Sequence, residues 1–107
     1  MIDEKVNRII KELVEDLKSK YSDFKGIYLF GSHARGEATE ESDIDLAIIF
    51  DKDINWLFKD EISNYIWLKM VNYIIPIDSF TLSLKDIYFP KTPLRENIHN
   101  QGVYYGI

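Results

Sequence analysis

The chain has no cysteine among its 107 residues. Disulfides and thiolate metal sites are therefore excluded. Only 3 prolines and 5 glycines are present. No Pro/Ser-rich linker, repeat or low-complexity tract divides the chain, so one domain over residues 1–107 is expected. Such a chain buries roughly two-thirds of its unfolded surface, enough for one core. No apolar run is long enough to span a bilayer, and the polar N-terminus is unlike a signal peptide. A cytoplasmic location with no membrane association follows as an expectation. Positive charge is also scarce: 13 Lys and Arg stand against 18 Asp and Glu, for a net charge of −5. A nucleic-acid surface needs a clustered basic face, so direct nucleic-acid binding is not expected.

What is present is concentrated in one block. Gly26-Ile27-Tyr28-Leu29-Phe30 is short, apolar and bounded by glycines, which predicts a buried strand. Gly31 and Ser32 follow it directly. Glycine lets the backbone turn through angles closed to other residues and lets a ligand approach closely. The serine hydroxyl can bond a phosphate oxygen or cap the next turn. Ala34 to Ala38 reads as a short helix whose N-terminus faces the same anion. Arg35 adds a fixed positive charge suited to a bidentate phosphate contact.

The second half of the block is Ser42-Asp43-Ile44-Asp45-Leu46, opening an apolar run to Phe50. Residues 43–50 read as the next strand. Side chains alternate along a strand, so Asp43 and Asp45 point the same way, with Cα atoms roughly 6.5–7 Å apart. Hard carboxylate oxygens at that spacing suit one divalent cation or a bridged pair. Without a cation the two would repel, raising the pKa of one. Either feature alone is commonly a plain turn or a solvated strand start. In this order and spacing they suit a nucleoside triphosphate held with magnesium.

The remaining segments read as framework. Ile2, Val6, Ile9, Ile10, Leu13 and Leu17 recur at helical spacing and predict an amphipathic helix over 2–20. Asn55 to Ile74 is a second helix, with Trp56, Ile62, Ile66, Met70 and Ile74 on one side. Its aromatic content is high for a fully buried helix, so part of it is expected to be a partner surface. Pro76 stops that helix and opens a third strand. Residues 82–89 fit either a short helix or a loop. Pro93 starts a last helix that Gly102 ends. His33 reads as a solvated loop histidine and His99 as structural or interfacial. The sum is an α/β (α+β) fold: a small mixed β-sheet of three to five strands with helices mainly on one face.

Gly31-Ser32, Ala34-Arg35-Gly36 and Ser42-Asp43-Ile44-Asp45-Leu46 resemble the signature of the polymerase-beta-type nucleotidyltransferases. In so short a chain the pattern is similar to the minimal nucleotidyltransferases (MNT) in particular. The resemblance covers most of the chain. It implies a third carboxylate on a later strand, for which Asp78 is the candidate. Val103-Tyr104-Tyr105 resembles the family's short terminal strand. Gly31, Ser32 and Arg35 would then hold the triphosphate of ATP. Asp43, Asp45 and Asp78 would be catalytic and would bind two Mg2+ ions. The resemblance further implies a hetero-oligomer with a HEPN-type RNase toxin, in which the MNT chain is the antitoxin and adenylylates a toxin tyrosine. A binding module that neutralises by masking, and a small-molecule nucleotidyltransferase, are the alternatives. The intact aspartates speak against the first, and the lack of a substrate-binding lobe against the second.

Overall fold

A computed structural model describes residues 2–89 and 92–106. Helix α1 spans Glu4–Lys20. Asp3 caps it by accepting from the Lys5 N–H at 2.7 Å. Val6, Ile9, Ile10, Leu13, Val14 and Leu17 are all buried, the stripe their spacing predicts. Strand β1 (Phe24–Phe30) runs straight into a single-turn helix α2 (Gly31–Arg35). Strand β2 (Ile44–Phe50), helix α3 (Trp56–Tyr73) and strand β3 (Ile77–Ser83) follow. Two short helices, α4 (Leu84–Tyr88) and α5 (Pro93–Gln101), lead to the terminal strand β4 (Val103–Tyr105).

The four strands form one mixed sheet in the order β3-β2-β1-β4. Strand β1 is antiparallel to β2 and to β4, while β2 and β3 are parallel. The parallel pair is joined through α3, because parallel neighbours need a crossover. One face of the sheet packs Ile27, Leu29, Leu46 and Ile48 against α1 and α3. The other face packs Phe30, Ala47, Ile49 and Leu82 against Ile87 of α4 and Ile98 of α5. The long helices thus share one face, and the two short ones cover part of the other. No described helix is long and apolar enough to cross a membrane.

Several local expectations need correction. The short helix covers Gly31–Arg35 rather than Ala34 to Ala38. Gly31 has φ +73°, and the chain turns into the helix at once. Strand β2 begins at Ile44, leaving Asp43 one residue outside it. Residues 82 and 83 complete β3, and α4 occupies Leu84–Tyr88. In α3, Ile62 and Ile66 are buried as expected, but Trp56 is 73% and Ile74 90% exposed. Ile74 ends α3 in a left-handed conformation, φ 55°, before Pro76 is reached. The side chain of His99, with its structural or interfacial reading, lies outside the described part.

Candidate active site

The site forms where β1, β2 and β3 share one end. Asp45 lies opposite Phe30, the last residue of β1, and opposite Asp78 on β3. Residues in register on neighbouring strands project to the same face. By alternation that face is also the one bearing Ala47, Ile49, Phe80 and Leu82, which α4 and α5 cover further along. The aspartates therefore stand at the uncovered end of a buried face. Asp45 is half-buried, while Asp43 and Asp78 are exposed.

Gly31 is fixed by this arrangement. A Cβ at residue 31 would overlap Oδ2 of Asp45. Its positive φ makes any side chain strained as well. The glycine thus gives the carboxylate its space and starts α2 beside it. The first N–H groups of a helix have no intrahelical partner. Here they belong to the turn that contains Gly31 and Ser32. Among the described contacts, α2 is closed at its other end by the left-handed Gly36, and Glu37 N–H donates to the Ser32 carbonyl at 2.9 Å.

Electrostatics single out Asp45. Its pKa is raised above the ordinary carboxylate value, first by burial, then by the charges of Asp78 and Asp43. His33 and Arg35 oppose the shift. Arg35 is exposed and its Nε pairs with Glu37 Oε2 at 3.3 Å, so its guanidinium is held near the turn without being consumed by the aspartates.

His33 is not the solvated loop residue its surroundings in the sequence imply. It is 8% exposed. Its Nε2 lies 3.4 Å from the Ser42 carbonyl, which can only accept, so Nε2 donates. Ser42 in turn folds the preceding loop: its hydroxyl accepts from Thr39 N–H at 2.9 Å, and its own N–H donates to the Thr39 carbonyl at 3.1 Å. His33 and Ser42 thereby tie α2 to the segment entering Asp43. The legible signal was spacing: His33 falls on the inner side of a one-turn helix starting at Gly31. Placing that helix three residues late hid it.

Among the described residues no three carboxylate, histidine or cysteine side chains form a ready metal cage. The donors are nonetheless all carboxylate oxygens, and one of them is crowded by like charge. That set fits a magnesium ion, which keeps waters and takes further oxygens from a bound phosphate rather than requiring a full protein cage.

The nucleotidyltransferase domain family matches residues 10–105. This chain belongs to that family. The chain is 36% identical over 102 residues to a Methanocaldococcus jannaschii protein named "Putative protein adenylyltransferase MJ1379", covering 92% of this chain and 93% of the relative. A second M. jannaschii relative, "Putative protein adenylyltransferase MJ0604", is 55% identical over 51 residues, 47% of this chain. The match spans about half of that relative, 51% of its length. The fold is shared with a chain in the structure of a tri-AMPylated Shewanella oneidensis HEPN toxin in complex with MNT antitoxin. That likeness has a TM-score of 0.63 at 18% identity, over 95% of this chain and 73% of the other.

Proposed function

We propose that this nucleotidyltransferase domain moves AMP from ATP to a tyrosine hydroxyl of a HEPN-type RNase toxin, and so serves as its antitoxin in the cytoplasm. The observation that carries the reading is the parallel pairing of Asp45 with Asp78 beside the Gly31 turn. It supports three carboxylates acting together at one end of the sheet. Gly31 and Ser32 present backbone N–H groups and a hydroxyl to the triphosphate. Arg35 adds charge at its margin. Asp43, Asp45 and Asp78 would hold two magnesium ions, which supply charge neutralisation on the phosphates and activation of the attacking oxygen. Asp78, exposed at the edge of the site, accepts the acceptor's proton. The tyrosyl oxygen bonds to the α-phosphorus, and the bond from that phosphorus to pyrophosphate breaks.

The relatives support the adenylyl class through their names, and the complexed neighbour supports the kind of partner. The test is incorporation of labelled ATP into a HEPN-type toxin mixed with this chain. Asp45→Asn should lower incorporation roughly 100-fold or more, on the scale of losing one preorganised electrostatic group. Circular dichroism serves as the folding control. Full activity in a folded Asp45→Asn protein would sink the reading. Neutralisation without any added mass, equally good with Asp43→Asn, would favour masking.

A further inference from the structure

Strand β3 lies at the outer edge of the sheet, with β2 on one side only. In their parallel register Ile44 lies opposite Ile77, and Ile44 N–H donates to the Pro76 carbonyl at 2.9 Å. That register turns the peptide groups of residues 78, 80 and 82 toward β2, and those of 77, 79, 81 and 83 outward. Side chains meet the outward N–H groups at the two ends. Ile77 N–H donates to Met70 Sδ at 3.0 Å, and Ser83 N–H to Asp86 Oδ2 at 3.2 Å. Between them, the N–H groups of Ser79 and Thr81 meet no acceptor among the described residues.

Burial makes this unusual. Thr81 is 7% and Ser83 4% exposed, with Ser83 forming a capping box with Asp86 at the start of α4. Buried polar groups are nearly always paired. Both residues line a hollow of about 330 Å³ that also touches Lys59 of α3 and Arg95 of α5. Lys59, Lys85 and Arg95 stand there against Asp53 and Asp86. Lys85 pairs with Asp53, and Arg95 with Asp86. Among the described residues Lys59 has no such pair, which leaves the hollow one positive charge in excess.

Free backbone donors and acceptors two residues apart on an edge strand match another extended backbone. We propose that the acceptor protein presents its hydroxyl on an extended, acidic segment that adds to the outer edge of β3 as a fifth strand. This rests on the transferase reading above. Thr81 is three residues from Asp78, about 10 Å along the strand, and a paired strand lies about 4.8 Å to the side. A segment anchored at Ser79 and Thr81 therefore runs past Asp78. Its side chains on the Asp78 face stand beside Asp78 and Asp45. The hydroxyl oxygen there bonds to the α-phosphorus of ATP, pyrophosphate leaves, and the proton goes to a carboxylate. An edge strand thus does the work of holding the acceptor in place.

The probe is a short synthetic peptide alternating valine and glutamate with one central tyrosine. Amide hydrogen exchange is followed on the full chain with and without this peptide at millimolar concentration. The Ser79 and Thr81 amides should exchange freely in the chain alone and slow about tenfold or more with the peptide. With ATP and magnesium the peptide tyrosine should gain AMP. Thr81→Pro removes an outward N–H but no bond to β2. It should abolish both effects and leave ATP affinity unchanged. Exchange in the unaltered chain decides the matter if that variant fails to fold. Amides already protected in the chain alone, protected by self-association, or unaffected by the peptide would overturn the proposal. Protection without labelling would uphold the edge site and count against the transferase reading instead.

Discussion

Asp45 holds its proton more tightly in the folded chain than in the unfolded one, because burial and the charges of Asp78 and Asp43 disfavour its ionised form. The sign of the linkage follows. Below the ordinary value of 3.8 both states are protonated and the group costs nothing. As pH rises through that value the unfolded chain loses the proton first, so stability falls, and the full cost is present at neutral pH. Asp45→Asn should therefore raise the melting temperature at pH 7 in metal-free buffer, by roughly 2–5 °C. Magnesium should raise the melting point of the unaltered protein and not of the variant. A variant that melts lower would mean that the carboxylate stabilises the fold. Gly31 is the complementary case. Gly31→Val should weaken ATP binding more than Ser32→Ala, since the side chain overlaps Asp45 and the backbone there has positive φ. The alanine change removes one hydrogen bond, about 0.5–1.5 kcal/mol net. Titration calorimetry of both variants checks the order, and equal affinities close to that of the unaltered chain would detach the turn from the nucleotide. Gly31, Asp43 and Asp45 were legible in the sequence because their chemistry is local. His33 was not, because its burial comes from a carbonyl nine residues away.

Helix α3 shows what periodicity can and cannot tell. Spacing puts Trp56, Ile62, Ile66, Met70 and Ile74 on one side, yet only Ile62 and Ile66 are buried, and Trp67, Leu68 and Val71 are exposed. A helix sharing one face of a four-stranded sheet with α1 has fewer inward positions than its composition offers. Asn55 caps the helix as its position implies, accepting from Phe58 N–H at 2.9 Å. The far end falls where the sequence places it, with Ile74 as the left-handed C-cap two residues before Pro76. A β-branched residue at φ 55° and 90% exposure gains no packing from its side chain and bears the strain of the left-handed region. Ile74→Gly should accordingly stabilise the protein by about 1 kcal/mol. Urea denaturation gives the measurement, read as a higher midpoint at unchanged slope. An unchanged or lower midpoint would show that Ile74 is held by contacts its exposure does not suggest. The crossover between β2 and β3 was foreseeable from the length between Phe50 and Ile75. The antiparallel placement of β4 beside β1 was not, since three residues carry too little pattern to fix a partner.

Most of the chain's tyrosine hydroxyls are engaged within the fold. Of 7 tyrosines, 5 donate their hydroxyls internally: Tyr21 to Glu61, Tyr65 to Asp16, Tyr73 to Glu12, Tyr104 to the Lys25 carbonyl and Tyr105 to Asn7. Tyr65 and Tyr73 clasp α3 to α1, on the face of the sheet opposite Asp45. Burial, and then the carboxylate each one meets, raises the pKa of both. They are doubly unsuited to attack: held by an acceptor and reluctant to lose the proton. Tyr21 behaves likewise, pushed up to about 12 by burial and Glu61. Positioning a hydroxyl in line with the α-phosphate is worth roughly 7–11 kcal/mol, and nothing in these contacts supplies it to a tyrosine of the same chain. With ATP and magnesium alone, intact mass spectrometry should therefore find AMP on the order of one chain in a hundred or fewer. Adding the HEPN-type protein should place AMP on a single tyrosine of that protein, and Asp45→Asn should prevent it. Self-labelling approaching one AMP per chain would show that the domain organises an acceptor unaided, and the need for a docked partner would then disappear.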